Sequence, residues 1–169
     1  VILGLTGSVG SGKSTLAQFL RTWRFQVLDV DRVAASAAKQ AGLDPSEALR
    51  RVLTGDRALE AQLAVFVKEH VSAWLASAKP PVIIDSALLF EHGLDALCTV
   101  TICLTCPREE RKARVEKRTT VSATHFDAIE RAQWAEAGKA SKATYVIDGD
   151  RELDLVSAEV VRLLGVKAP

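Results

Sequence analysis

Residues Gly7-Ser8-Val9-Gly10-Ser11-Gly12-Lys13-Ser14 satisfy the pattern Gly-x-x-x-x-Gly-Lys-[Ser/Thr] at every fixed position. That pattern works only where a buried strand runs into it and a helix leaves it. Both flanks are present: Val1-Ile2-Leu3-Gly4-Leu5 is an apolar run, and Thr15-Leu16-Ala17-Gln18-Phe19-Leu20 carries apolar residues at helical spacing. A strand that feeds a helix through a tight loop points to a parallel α/β architecture, because parallel neighbours need long crossovers. The glycines allow successive backbone N–H groups to turn inward around a phosphate, and the helix adds the positive end of its dipole. Gly10, Ser11, Gly12, Lys13, Ser14 and Thr15 are therefore the candidate nucleotide-binding residues. Lys13 is expected to reach the β- and γ-phosphates of ATP, and the Ser14 hydroxyl to take one position on Mg²⁺. The dinucleotide pattern Gly-x-Gly-x-x-Gly does not fit these glycines, which disfavours a nicotinamide enzyme.

Further along, apolar runs alternate with helical segments. Phe25 to Asp31 reads as a second strand ending in acids, Val82-Ile83-Ile84-Asp85 as a third, Thr99 to Leu104 as a fourth and Tyr145-Val146-Ile147-Asp148 as the last. A final amphipathic helix from Leu153 to Leu164 stops at Gly165. Five such strands predict a three-layer parallel sheet with helices on both faces. The stretch from Arg32 to about Ala78 is helix-rich and too long for a simple crossover, with Asp44 or Ser46 placed to cap a helix beginning near Pro45. Asp85, at a strand end next to the phosphate loop, is a candidate second Mg²⁺ residue.

The segment 108–142 is crowded with charge. Arg108, Arg111, Lys112, Arg114, Lys117 and Arg118 share its first helix with Glu109, Glu110 and Glu116. Such a cluster suits a lid over ATP, where arginine's planar fork stabilises a transferring phosphoryl group. The chain as a whole has 22 basic and 21 acidic residues, a net charge of +1, so a general nucleic-acid surface is excluded. No apolar run approaches a membrane span, and the hydrophobic start reads as a strand, so a cytoplasmic protein without a membrane partner is expected. Cys98, Cys103 and Cys106 read as structural thiols, and His70, His92 and His125 as scattered surface or packing residues.

Taken together, Gly-Leu-Thr-Gly-Ser-Val-Gly-Ser-Gly-Lys-Ser-Thr, Leu28-Asp29-Val30-Asp31, Asp85 through Leu88-Leu89-Phe90-Glu91, Ile129 with Gln133, and Tyr145-Val146-Ile147-Asp148 resemble the dephospho-coenzyme A kinase family. The resemblance implies a P-loop NTPase-type fold with a five-stranded parallel sheet, a helical acceptor-binding insertion and a helical lid. It implies transfer of the ATP γ-phosphoryl group to the 3′-hydroxyl of dephospho-coenzyme A. Asp31 then corresponds to the proposed base, Lys13 to the phosphate-binding lysine, and Arg114 and Arg118 to the lid arginines. Residues 1–31, 79–107 and 143–169 would form the nucleotide core, 32–78 the acceptor region and 108–142 the lid. The chain departs from the family pattern in a shorter acceptor region, in Ala87 where a proline is expected and in Gly149 where an asparagine is common. Another small-molecule kinase, or an ATP-binding module without transfer chemistry, stays open as an alternative.

Overall fold

The computed structural model describes residues 1–118 and 123–166, with the side chains of Arg118 and residues 123–125 outside the description. Five strands, β1 (Ile2–Gly7), β2 (Gln26–Asp29), β3 (Val82–Asp85), β4 (Val100–Thr105) and β5 (Tyr145–Asp148), form one parallel sheet in the order β2-β3-β1-β4-β5. The chain leaves central β1, builds β2 and β3 on one side, then crosses to β4 and β5 on the other. Ligands bind such sheets outside the strand ends at this reversal. The register places Leu5 and Asp29 on either side of Asp85, so β2 and β3 each end in a carboxylate level with Leu5, shortly before β1 runs into its loop at Gly7.

Both faces are covered, as the continuous apolar strands require. On one face α1 (Lys13–Leu20) and α8 (Leu153–Leu163) bury Leu16, Leu20, Val156 and Val160 against Leu3, Leu5, Ile102 and Leu104. On the other, α2 (Val30–Gln40) and α4 (Arg57–Ser77) bury Val30, Val33, Val67 and Val71 against Ile84, Leu89 and Phe90. Between α2 and α4 lies α3 (Pro45–Leu53), and the three share a small satellite core of Ala38, Ala48 and Leu59. The remaining helices are α5 (Arg108–Arg118), α6 (Ala123–Ala132) and α7 (Glu136–Lys142).

Helix starts follow local chemistry. Asp44 accepts from the Ser46 and Glu47 amides at 2.9 and 3.1 Å, with Pro45 opening the helix as the sequence predicts. Asp56 caps α4 in the same way through Leu59 N at 3.0 Å. The second strand requires a correction, because it stops at Asp29, not Asp31. The Asp29 carboxylate accepts from Arg32 N at 3.1 Å, which turns the chain directly into α2 and puts Asp31 in that helix's first turn. The apolar alternation around Val30 is shared by strand and helix, and the cap decides between them. Among the described residues, no helix is long and apolar enough to cross a membrane.

Candidate active site

The loop after β1 closes on itself through Ser11 N donating to Ser8 O at 3.0 Å, and Gly12, at φ 95°, turns the chain into α1 with Lys13 as its first residue. Two side chains from far along the chain, one in α5 and one just past the end of α6, hold the apex of the loop. Arg111 donates to Val9 O at 3.2 Å and Gln133 accepts from Val9 N at 3.1 Å. Gly10 permits this approach, since a Cβ on its backbone would stand 2.5 Å from Arg111 O. Arg111 is only 5% exposed and is saturated by Cys106 O, Val9 O and Glu130 at 3.0, 3.2 and 2.6 Å. It therefore braces the loop and has little freedom to swing onto a ligand.

Arg114, one helical turn along, is the arginine that faces the nucleotide end of the site. Its guanidinium lies 3.8 Å from where a Gly12 Cβ would be, and it donates to Gly149 O at 3.2 Å and to Asp150 at 2.6 Å. Gly149 also has a steric reason to be glycine: a Cβ there would lie 2.7 Å from Ser11 O, so the backbone after β5 packs directly on the phosphate loop. The Arg118 side chain, its predicted companion, lies outside the described residues. Arg108 is engaged away from the site by Glu130, Asp127 and Glu109 at 2.7, 2.6 and 3.4 Å.

Three carboxylates, of Asp29, Asp31 and Asp85, stand close together with Lys13 beside them. Asp31 opens to solvent within the cleft, yet protein on its other sides strips much of its hydration and raises its pKa. The charge of Lys13 opposes that rise and the charge of Asp29 adds to it. Asp85 is 5% exposed, and its Oδ1 has no hydrogen-bond partner. Burial raises its pKa from 3.8 to about 6, against the pull of Lys13 and of a hydrogen bond from Ser14. Lys13, Ser14 and Asp85 thus lie together, and one buried oxygen of Asp85 has no partner. Because Asp85 binds its proton more tightly folded than unfolded, its stability contribution is full below about pH 4 and is lost as pH rises through about 6. The shift corresponds to roughly 3 kcal/mol. Urea denaturation of the ligand-free protein at a series of pH values should show wild type losing up to that amount relative to Asp85→Asn between about pH 4 and pH 7. Parallel curves for the two proteins would refute the assignment.

Asp31 and Lys13 also form one end of a concave cavity of about 450 Å³. Its walls come from α2, α3 and α4 through Ala34, Ala38, Ala48, Leu49 and Leu63, and from Ala87, Leu88 and His92 after β3. The volume and the mixture of an apolar wall with a few polar groups suit a small organic ligand.

Two features of this wall have no signal in the sequence. Lys139 of α7 reads as a solvated residue on a polar helix, yet it is 0% exposed. Its ammonium donates to Ala87 O and pairs with Glu91 at 3.0 Å. Glu91 also accepts from Trp134 N at 2.9 Å. This pair pins the loop after β3 to α7 and so sets the position of Ala87 and Leu88 in the cavity wall. The second is His92, half-buried, which lines the cavity. The cysteines agree with a structural role: all three are free, and burial pushes Cys98 up to about 12 and Cys103 up to about 11.

The sequence model of the dephospho-CoA kinase family matches residues 1–62 and 48–154 of this chain. The chain belongs to that family. Within the family, a dephospho-CoA kinase of Thermus thermophilus is 34% identical over 173 residues, covering 91% of this chain and 85% of the relative. The crystal structure of TT1252 from Thermus thermophilus superposes with a TM-score of 0.82 at 32% identity, covering 99% of this chain and 98% of that one. At the level of fold alone, shikimate kinase from Bacteroides thetaiotaomicron superposes with a TM-score of 0.68 at 18% identity, covering 98% of each chain. The fold is that of the P-loop kinases. The two stretches matched by the family model overlap at 48–62, within α3 and the start of α4, the region that reads as short in the sequence.

Proposed function

We propose that this chain phosphorylates the ribose 3′-hydroxyl of dephospho-coenzyme A with ATP, giving coenzyme A and ADP, the last step of coenzyme A synthesis. The observation that carries the reading is that Lys13 and Asp31 border both the phosphate loop and the cavity of α2 to α4. Donor and acceptor sites therefore meet at one lysine and one carboxylate. ATP lies along the loop of Gly10, Ser11, Gly12, Lys13, Ser14 and Thr15, and Arg114 covers it from α5. The cavity is the acceptor site, so 32–78 is the acceptor region despite its shortness, and α5 with α6 is the part of 108–142 that covers the nucleotide.

Asp31 takes the proton of the attacking hydroxyl while that oxygen bonds to the γ-phosphorus. The bond from the γ-phosphorus to the bridging oxygen breaks, and ADP leaves with the electron pair. A carboxylate with a raised pKa is a better proton acceptor than an ordinary one once it is ionised. Lys13 and Arg114 hold the charge that spreads over the transferring group and exclude water that would hydrolyse ATP. Ser14 and Asp85 are the residues that would hold Mg²⁺, whose habit of taking one or two protein oxygens along with phosphate and water fits a hydroxyl beside an unsatisfied carboxylate oxygen. Bound there, the ion would neutralise phosphate charge.

The test is ATP-dependent phosphorylation of dephospho-coenzyme A, with the product identified by mass and the rate compared with ATP hydrolysis in the absence of acceptor. Product with little uncoupled hydrolysis is expected. Absence of product from folded protein that binds ATP would move the assignment to another acceptor or to a binding module. In the same assay Lys13→Ala should lower kcat/KM by about 10²- to 10³-fold, the scale of losing one transition-state charge contact. A loss below about threefold would remove Lys13 from the phosphate site.

A further inference from the structure

The turn after β5 packs on the phosphate loop at Gly149, and its next residue is a carboxylate, Asp150. A negative charge close to a polyphosphate site repels the ligand, so its presence there calls for a compensating role. Asp150 is paired with Arg114. The guanidinium donates to Asp150 Oδ1 at 2.6 Å and to Gly149 O at 3.2 Å, and the Cys106 thiol adds a weak contact to the same Oδ1 at 3.9 Å. The turn itself does not depend on the Asp150 side chain. Backbone N–H groups close it, with Asp150 N donating to Asp148 Oδ1 at 2.9 Å and Gly149 N to Thr105 O at 2.7 Å. These two pins set the guanidinium 3.8 Å from the place of a Gly12 Cβ, and an arginine has N–H donors to spare beyond two. Without them, exposed Glu110 stands at the i, i+4 spacing on α5 as a competing partner.

We infer that Asp150 is a positioning residue for phosphoryl transfer that acts through Arg114, its carboxylate holding the guanidinium at the end of the phosphate loop. The inference rests on the kinase reading above, in which Arg114 holds charge on the transferring group. A free arginine gives up its rotamer freedom each time it reaches the transition state, whereas a tethered one has given it up in advance. The pair thus supplies directed N–H donors at the expense of net positive charge.

The experiment is a double-mutant cycle in steady-state kinetics with ATP, Mg²⁺ and dephospho-coenzyme A, using wild type, Asp150→Ala, Arg114→Ala and the double variant, with Asp150→Asn alongside and thermal unfolding of each protein. For Asp150→Ala, kcat should fall about tenfold, the scale set by the rotamer freedom of an arginine. Its KM for ATP should not rise, because the lost charge repelled the nucleotide. Its unfolding temperature should stay within about 4 °C of wild type, since a part-exposed pair adds little stability. Asp150→Asn removes the same charge but keeps an oxygen that accepts from the guanidinium, so it should recover most of the lost kcat. In the Arg114→Ala background, Asp150→Ala should have no further effect on kcat, because a residue that acts only through another is silent in its absence. Wild-type kcat in Asp150→Ala, equal behaviour of the two Asp150 variants, or losses that add in the double variant each overturn the inference, the last marking a structural role. Arg114→Ala separates the two ideas. A loss of about 10²- to 10³-fold there keeps the arginine in its assigned role whatever Asp150 does. Wild-type turnover in that variant, or no turnover in wild type, brings down the reading and the Asp150 assignment together.

Discussion

Asp31→Asn is expected to bind ATP as wild type does and to lower kcat by about 10²- to 10⁴-fold, the range associated with a positioned general base. The substitution keeps the size and hydrogen-bonding reach of the side chain and removes its capacity to take a proton. Asp31 is not a structural cap, since Asp29 fills that position through Arg32 N, so α2 should start where it does now. Removing the Asp31 charge also relieves repulsion from Asp29, which leaves no reason for the variant to unfold. The measurement is single-turnover phosphoryl transfer with ATP affinity determined separately by direct binding. Wild-type transfer rates under conditions where chemistry limits turnover would show that the carboxylate is not the base.

Lys139→Ala should cost about 3–5 kcal/mol of stability, the penalty for breaking a buried ion pair and leaving its partner uncompensated. Glu91 would keep its charge with a side chain only 7% exposed, and Ala87 O would lose its lysine donor. The loop from Ser86 to His92 forms the β3 side of the cavity, so the acceptor KM should rise with the loss of stability while ATP binding is less affected. Equilibrium denaturation at neutral pH gives the first number and steady-state kinetics the second. Replacing both partners together, as Lys139→Met with Glu91→Leu, should restore much of the stability, because an apolar pair leaves no charge stranded. A single variant that loses less than about 1 kcal/mol would show that the pair does not anchor the loop.

The parts of the molecule legible in the sequence are those written in contiguous residues. The phosphate loop is one: its glycines, lysine and serine define both the local backbone and its ligand, and the strand and helix on either side confirm the setting. The strands of the sheet are another, because apolar runs separated by helices have few arrangements other than a parallel sheet covered on both faces. The start of α3 at Asp44 and Pro45 is a third. Asp31 and Asp85 could also be named in advance as acids near the ends of β2 and β3, on the same side of the sheet as the loop.

What the sequence left undecided depends on partners far along the chain. The positions around Val30 satisfy either strand or helix, and only the Asp29 cap ends β2 and moves Asp31 onto α2. Arg111 and Arg114 look alike in a basic helix, yet packing against Gly10 saturates the first with Val9, Cys106 and Glu130 and leaves the second against Gly149 and Asp150. Lys139 has the surroundings of a surface lysine until Glu91 and Ala87 O, brought from the loop after β3, make its burial tolerable. His92 has no motif around it, and only the fold brings it into the cavity wall. The sequence by itself determined the phosphate loop, the sheet and the family, because local backbone chemistry and apolar periodicity act over short stretches of chain. The tertiary structure decided which charges are buried and paired, which are left open to the cleft and which elements wall the cavity, because burial and pairing are properties of neighbours in space.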